Sequence, residues 1–232
     1  MRFVLIRHGQ STNNLLWAQT RATEGRLPDT PLTDLGHEQA RRLADALAGG
    51  ALPWKLTHLY TSLMTRAVQT AAPIAEALDL PLHTRVDGFE VGGPFDEDAG
   101  GNRTHHPGAN RSALLEVSPR LQLADDIAEE GWWKGPYETA DAVPARAKKL
   151  VAEMREAHGP DDVVGLITHG FFTQFLLLEL LAVESSSVWF TIHNTAVSVV
   201  ADTVGEDSGY TYDVVAELIG WTGHLTADQL SE

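Results

Sequence analysis

The histidine–glycine pairs of Arg7-His8-Gly9 and Thr168-His169-Gly170 stand far apart in the chain, and each follows a short apolar run. Phe3-Val4-Leu5-Ile6 leads into the first and Asp162 to Thr168 into the second. Ligands of open α/β sheets bind beyond the carboxyl ends of strands, so both histidines occupy positions where a catalytic side chain belongs. His169 also stands where a strand gives way to a helix, beside free backbone N–H groups and the positive end of a helix dipole, which is an anion site. A third run, LTHLYT, delivers Ser62, with Arg66 in the first turn of the next helix. Imidazole titrates near neutrality and serves as nucleophile or proton carrier, and guanidinium forks match oxyanions. Taken singly, each of these residues reads equally well as a capped strand end. Taken together, two histidines and two arginines from three strand ends converge on one pocket for an anion.

The elements that must position them alternate in type. Phe3 to Ile6 reads as a strand buried on both faces. Thr33-Asp34 opens a helix with Ala40, Leu43 and Leu47 on one stripe, ending at Gly49-Gly50. Strands are expected at Leu56 to Thr61, Leu82 to Val86, Asp162 to Thr168, Ala196 to Ala201 and Tyr210 to Glu217. Helices are expected from Thr65 to Leu78, from Glu138 to His158 and from Gly170 to Val183, with Pro144 in a first turn or at a kink. This alternation predicts an α/β fold, a three-layer α/β/α sandwich with a mostly parallel central sheet.

One region breaks the pattern. Residues 87–135 contain VGGPFDEDAGGNRTHHPGANR, without clear period, and read as a loop or cap inserted into a single domain spanning residues 1–232. Arg103, His105, His106 and Arg111 make it locally basic, either to meet a second anionic group or to pair with Asp96, Glu97 and Asp98. His105-His106 is the best metal candidate, but no H-x-x-x-H pair or cysteine accompanies it, so no metal site is expected. Trp132-Trp133 reads as packing beneath the loop, or as an apolar substrate wall.

Composition narrows the function classes. The 232 residues carry 17 Lys+Arg against 32 Asp+Glu, a formal charge of −15, which argues against a nucleic-acid groove or a basic membrane-binding face. There is no cysteine, which removes disulfides, thiolate metal sites and thiol nucleophiles. The first residues, MRFVLIRHG, do not form a signal sequence, and the run Phe171 to Val183 is interrupted by Thr173, Gln174 and Glu179 and falls short of a bilayer span. A soluble, cytoplasmic protein is expected; a homodimer is left open.

The set of motifs resembles the histidine phosphatase superfamily, of phosphoglycerate mutase-like fold. Arg7-His8-Gly9-Gln10-Ser11-Thr12 with Asn14 is similar to its RHG signature. Gly25-Arg26, Pro31-Leu32-Thr33 and Gly36 resemble the segment that follows. Ser62, Arg66, Ala67, Gln69, Thr70 and Ala71 match the S-x-x-x-R-A-x-Q-T-A block. Thr168-His169-Gly170 matches the late histidine, and Asn194 to Val197 the strand start after it. The resemblance implies that His8 is a covalent nucleophile forming phosphohistidine. Arg7, Arg66 and His169 would hold the phosphoryl group, and no metal or other cofactor is needed. It also implies a general acid shortly after the Leu82 to Val86 strand. Glu90 is the natural candidate, with Asp87, Asp96 and Glu97 as alternatives nearby. Gln10, Asn14, Arg26, Ser62 and Gly170 match positions that bind phosphate or line the substrate mouth. Asn14 reads also as a loop cap, and Arg26 as a surface charge.

Three functions fit: a phosphatase of small phosphate monoesters, a cofactor-dependent mutase that returns the phosphoryl group to a second hydroxyl, and a catalytically silent binding module. The run Glu90-Val91-Gly92-Gly93-Pro94 differs from the E-R-H-Y-G-like run of mutases, which favours hydrolysis. It also departs from E-x-x-x-G-x-x-E-G, so the physiological ester does not follow from the resemblance.

Overall fold

A computed structural model describes residues 1–184, 187–202 and 212–232. Its centre is β1 (Arg2–Arg7), whose β-branched and aromatic residues are buried on both sides of the sheet. Val4 and Ile6 face one apolar layer while Phe3 and Leu5 face the other, as strand alternation requires. The neighbours of β1 are β7 (Val163–Thr168), parallel, and β8 (Val197–Asp202), antiparallel. Beyond β7 lie β2 (His58–Ser62), β3 (Leu82–Arg85) and the two-residue β6 (Leu121–Gln122), all parallel. Beyond β8 lies antiparallel β9 (Val214–Trp221), completing a seven-stranded order β6-β3-β2-β7-β1-β8-β9.

Helices cover both faces. On one pack α2 (Asp34–Ala48) and α3 (Thr65–Ala77), whose Leu43, Ala44, Ala67, Val68, Ala71 and Ile74 join Val4 and Ile6. On the other pack α5 (Val143–Ala157) and α6 (Gly170–Leu180), which bring Leu150, Val151, Phe172 and Leu176 against Phe3 and Leu5. The expected three-layer α/β/α sandwich with a mostly parallel sheet is therefore present. Among the described residues no helix is long and apolar enough to cross a membrane.

Three expectations need correction. The helix expected from Glu138 begins at Val143, because Pro144 lacks an N–H and is tolerated only in a first turn. The last strand starts at Val214 and runs on to Trp221; Tyr210, where it was expected to begin, lies outside the described residues. A further helix, α1 (Thr12–Thr20), went unanticipated because it buries none of its residues and so has no apolar stripe to detect.

The 87–135 insertion is more ordered than its composition suggests. It contains a hairpin of β4 (Phe95–Glu97) and β5 (Arg103–His105), then α4 (Arg111–Val117) and β6. Leu114, Leu121, Ile127 and Trp132 are buried in the same core as α2 and α3.

Candidate active site

The carboxyl ends of β1, β2 and β7 bring His8, Ser62 and His169 to one place. Nδ1 of the buried His8 lies 2.6 Å from the Gly9 carbonyl oxygen. A carbonyl only accepts, so Nδ1 carries the proton and Nε2 keeps its lone pair. Arg66 donates from Nε to that Nε2 at 3.1 Å. Burial first, then the fields of Arg66 and Arg7, push the His8 pKa well below its ordinary 6.5. His8 is neutral at pH 7, with its nucleophilic nitrogen toward the arginines.

His169 is fully buried and its ring lies 5.0 Å from that of His8. Its Nε2 is 2.9 Å from Ser62 Oγ, which itself accepts from the Met64 N–H. Burial, then Arg66, lower the His169 pKa well below 6.5. Ser62 therefore orients a histidine behind the site. Gly170 opens α6, and a Cβ there would stand 3.2 Å from Arg7 Nε, so its lack of a side chain leaves room for the guanidinium. Arg7 in turn donates to the Ile192 carbonyl.

Buried donors are left over. Arg7 Nε, Arg66 Nη1, Arg26 Nε and His169 Nδ1 are all buried without a hydrogen-bond partner. Buried polar groups are nearly always paired, so unpaired guanidinium donors on three arginines that line one cavity are the signature of an anion site. The cavity measures about 560 Å³ and is lined by Arg7, His8, Asn14, Arg26, Arg66 and Glu90 among others. Arg26 rests 3.8 Å over the Phe95 ring, and burial lowers its pKa to about 10, so it stays cationic at neutral pH.

Glu90 is the carboxylate of the alternatives that reaches this cavity. Its oxygens accept from the N–H groups of Val91, Phe171 and Phe172 at 2.8, 3.2 and 3.1 Å. This corrects one expectation: two of the α6 N-terminal N–H groups are engaged by Glu90 rather than left open beside His169. The rival acids are occupied elsewhere, Asp87 with Arg85, Asp96 with His106, and Glu97 with Arg103.

The remaining expected residues divide. Asn14 both closes the capping box of α1, accepting from the N–H of the cap residue Ser11 at 3.0 Å, and lines the cavity. Gln10 does not line it; its side chain accepts from Thr33 Oγ1 at 2.8 Å and ties the loop to α2. The basic residues of the insertion point inward to their own segment. Arg103 pairs with Glu97, Arg111 donates to the Ala124 and Ile127 carbonyls, His105 accepts from the Tyr137 N–H and His106 pairs with Asp96. Trp132 is core, and Trp133 stacks edge-on against Phe89 at 4.6 Å.

Residues not singled out as site residues from the sequence complete the site. Arg146 donates to the Asp87 and Phe89 carbonyls while held by Glu138, and so fixes the turn that carries Glu90. Asn194 donates to the His8 carbonyl at 3.0 Å. Trp17, Phe171, Trp189 and Phe190 form an apolar mouth, with Phe171 and Trp189 in an edge-to-face pair at 5.0 Å.

Residues 3–92 and 105–209 match the family model described as histidine phosphatase superfamily (branch 1). No curated protein sequence matches the chain. Among solved structures, it is similar to the phosphoserine phosphatase of Entamoeba histolytica in complex with 3-phosphoglyceric acid, at 20% identity and TM-score 0.63, covering 97% of this chain and 99% of that one. A mycobacterial glucosyl-3-phosphoglycerate phosphatase is similar at 21% identity and TM-score 0.60, covering 94% and 98%. The alpha-ribazole phosphatase of Shigella flexneri is similar at 21% identity and TM-score 0.62, covering 96% and 97%.

Proposed function

The chain belongs to the histidine phosphatase superfamily, and on that premise we propose that it hydrolyses phosphate monoesters without a metal, through a phosphohistidine on His8. The observation that carries this reading is the pairing of a neutral, buried His8 with unpartnered buried donors on Arg7, Arg66 and Arg26, beside an unpartnered ring nitrogen of His169. A phosphate group satisfies those donors, and a guanidinium bonds a phosphate oxygen more strongly than a neutral imidazole. On substrate binding, Arg66 turns its donors to the phosphate and releases Nε2 of His8.

In the first step Nε2 forms a bond to phosphorus and the ester P–O bond breaks. The electron pair leaves with the alkoxide oxygen, which takes a proton from the carboxyl of Glu90. In the second step Glu90 accepts a proton from water, the water oxygen attacks phosphorus, and the N–P bond returns its pair to His8. Arg7, Arg66 and His169 hold the charge that spreads over the phosphoryl oxygens, so catalysis is mainly positioning and electrostatics. Asn14 and Arg26 border the phosphate position, Ser62 orients His169, and Gly170 admits Arg7.

The organic part of the ester meets the apolar mouth. Trp189 and Phe171 are 62% and 54% exposed, large rings at the entrance. A small-molecule ester with an apolar or aromatic portion suits this wall. The mutase-type reading has less support, because no residue of the basic insertion 103–111 borders the cavity. The test is release of phosphate from a panel of monoesters in a chelator. Turnover that persists there and disappears in His8→Ala is expected. Turnover restored only by zinc, manganese or magnesium contradicts the reading.

A further inference from the structure

A second cluster of titratable groups lies at the amino ends of β2 and β7, the end of the sheet opposite the His8 site. His58 opens β2, while His158 and Asp162 stand four residues apart in the connection from α5 to β7, so two separate segments meet there. His58 Nδ1 is 3.7 Å from Asp162 Oδ1, and His158 Nδ1 is 3.6 Å from Asp162 Oδ2. The two imidazole rings are 4.4 Å apart, and one ligand atom from each of the three residues lies within 4.8 Å of the others. Tetrahedral zinc with bonds of about 2.0–2.1 Å holds its ligand atoms about 3.4 Å apart, so only small side-chain shifts separate this cluster from that geometry.

His158 supplies the second observation. Its side chain is only 4% exposed, yet Nδ1 has no hydrogen-bond partner. Its other nitrogen, Nε2, lies 3.1 Å from the Tyr60 hydroxyl. An Nε2–H donated to that hydroxyl leaves Nδ1 with a buried lone pair facing Asp162, and a partner on the far nitrogen is how ligating histidines are oriented. The Asp162 carboxylate is itself held by the Gly159 N–H at 2.8 Å. Thr57 Oγ1, 2.9 Å from His58 Nδ1, also reaches the Val163 carbonyl at 3.2 Å, so it can release that nitrogen to a ligand.

We propose that His58, His158 and Asp162 bind a divalent transition-metal ion of the zinc type, as a clip joining the α5–β7 connection to β2. Two imidazoles and one carboxylate are a borderline-soft set suited to such an ion, with water completing the shell. The site is structural. His58 and Ser62 are at opposite ends of a five-residue strand, roughly 13 Å at 3.3 Å per residue, so the ion does not reach the phosphate.

The experiment is titration of Zn²⁺ into the full-length, chelator-treated protein by calorimetry, with melting temperature followed in parallel. One equivalent should bind and raise the melting temperature, and His8→Ala should leave both unchanged. His58→Ala and Asp162→Asn should weaken binding at least tenfold without altering phosphatase turnover, and Tyr60→Phe should weaken it roughly ten- to a hundredfold. Tyr60→Phe keeps the ring and guards against a variant that simply fails to fold. Absence of zinc binding, or binding lost in His8→Ala and kept in His58→Ala, overturns the proposal.

Discussion

The proposed chemistry rests on which nitrogen of His8 carries the proton, and the backbone decides it. Gly9 offers a carbonyl to Nδ1, which leaves Nε2 with a lone pair that accepts from Arg66. Glu90 is the complementary residue, a carboxylate at the mouth of the same cavity. Its role is testable through the leaving group. General acid catalysis is worth about 10²–10⁴-fold and matters most for poor leaving groups. In single-turnover measurements, Glu90→Gln should slow phosphoryl transfer from an alkyl phosphate by that range while leaving the p-nitrophenyl phosphate burst close to wild type. Equal losses would make Glu90 a positioning residue. At the mouth, Trp189→Ala should raise KM for an aromatic ester several-fold and leave kcat nearly unchanged, since the ring contacts only the organic part.

At the scale of elements, the RHG loop is held against α2 by two glycines that touch. A Cβ on Gly9 would lie 2.5 Å from the Gly36 oxygen, and one on Gly36 would lie 2.1 Å from the Gln10 oxygen. Gly36→Ala should therefore cost about 1–3 kcal/mol in urea unfolding, and lower kcat, because the displaced loop carries the carbonyl that sets the His8 tautomer. Much of this architecture was legible from residue types. The strand ends that carry His8, Ser62 and His169 follow apolar runs with clear turn residues, and Thr33 caps α2 as its type suggests. Other parts had no local signal. Four carboxylates between residues 87 and 97 look alike in sequence, and only their partners separate Glu90 from the rest. Arg146 lies in a helix far along the chain, and its role comes from burial against the Glu90 turn. The His58, His158 and Asp162 cluster was invisible for the same reason, since its spacing follows no metal motif and arises from strand register.

For the whole molecule, the two buried histidines leave a mark on stability. Both have folded-state pKa values well below the 6.5 of an unfolded imidazole. Below pH 6.5 the unfolded chain binds protons that the folded chain refuses, so stability is full above that pH and falls as the pH drops below it. The melting temperature should thus decline from pH 7 to pH 5 more steeply in the wild type than in His8→Asn, and parallel curves would mean that His8 is not buried in its neutral form. The same low pKa keeps Nε2 unprotonated in mildly acid solution, so the acid limb of kcat/KM should fall below pH 6.5. The central claim, that the phosphoryl group rests on His8, is tested most directly on the intact protein. Glu90→Gln mixed with p-nitrophenyl phosphate should be phosphorylated quickly and lose the group slowly, because its water lacks a base. Quenching into alkali and measuring intact and peptide masses should find one alkali-stable, acid-labile phosphoryl group per chain, on His8 and absent from His8→Ala. A label on another residue, or a normal burst with no phosphorylated protein, would contradict the account.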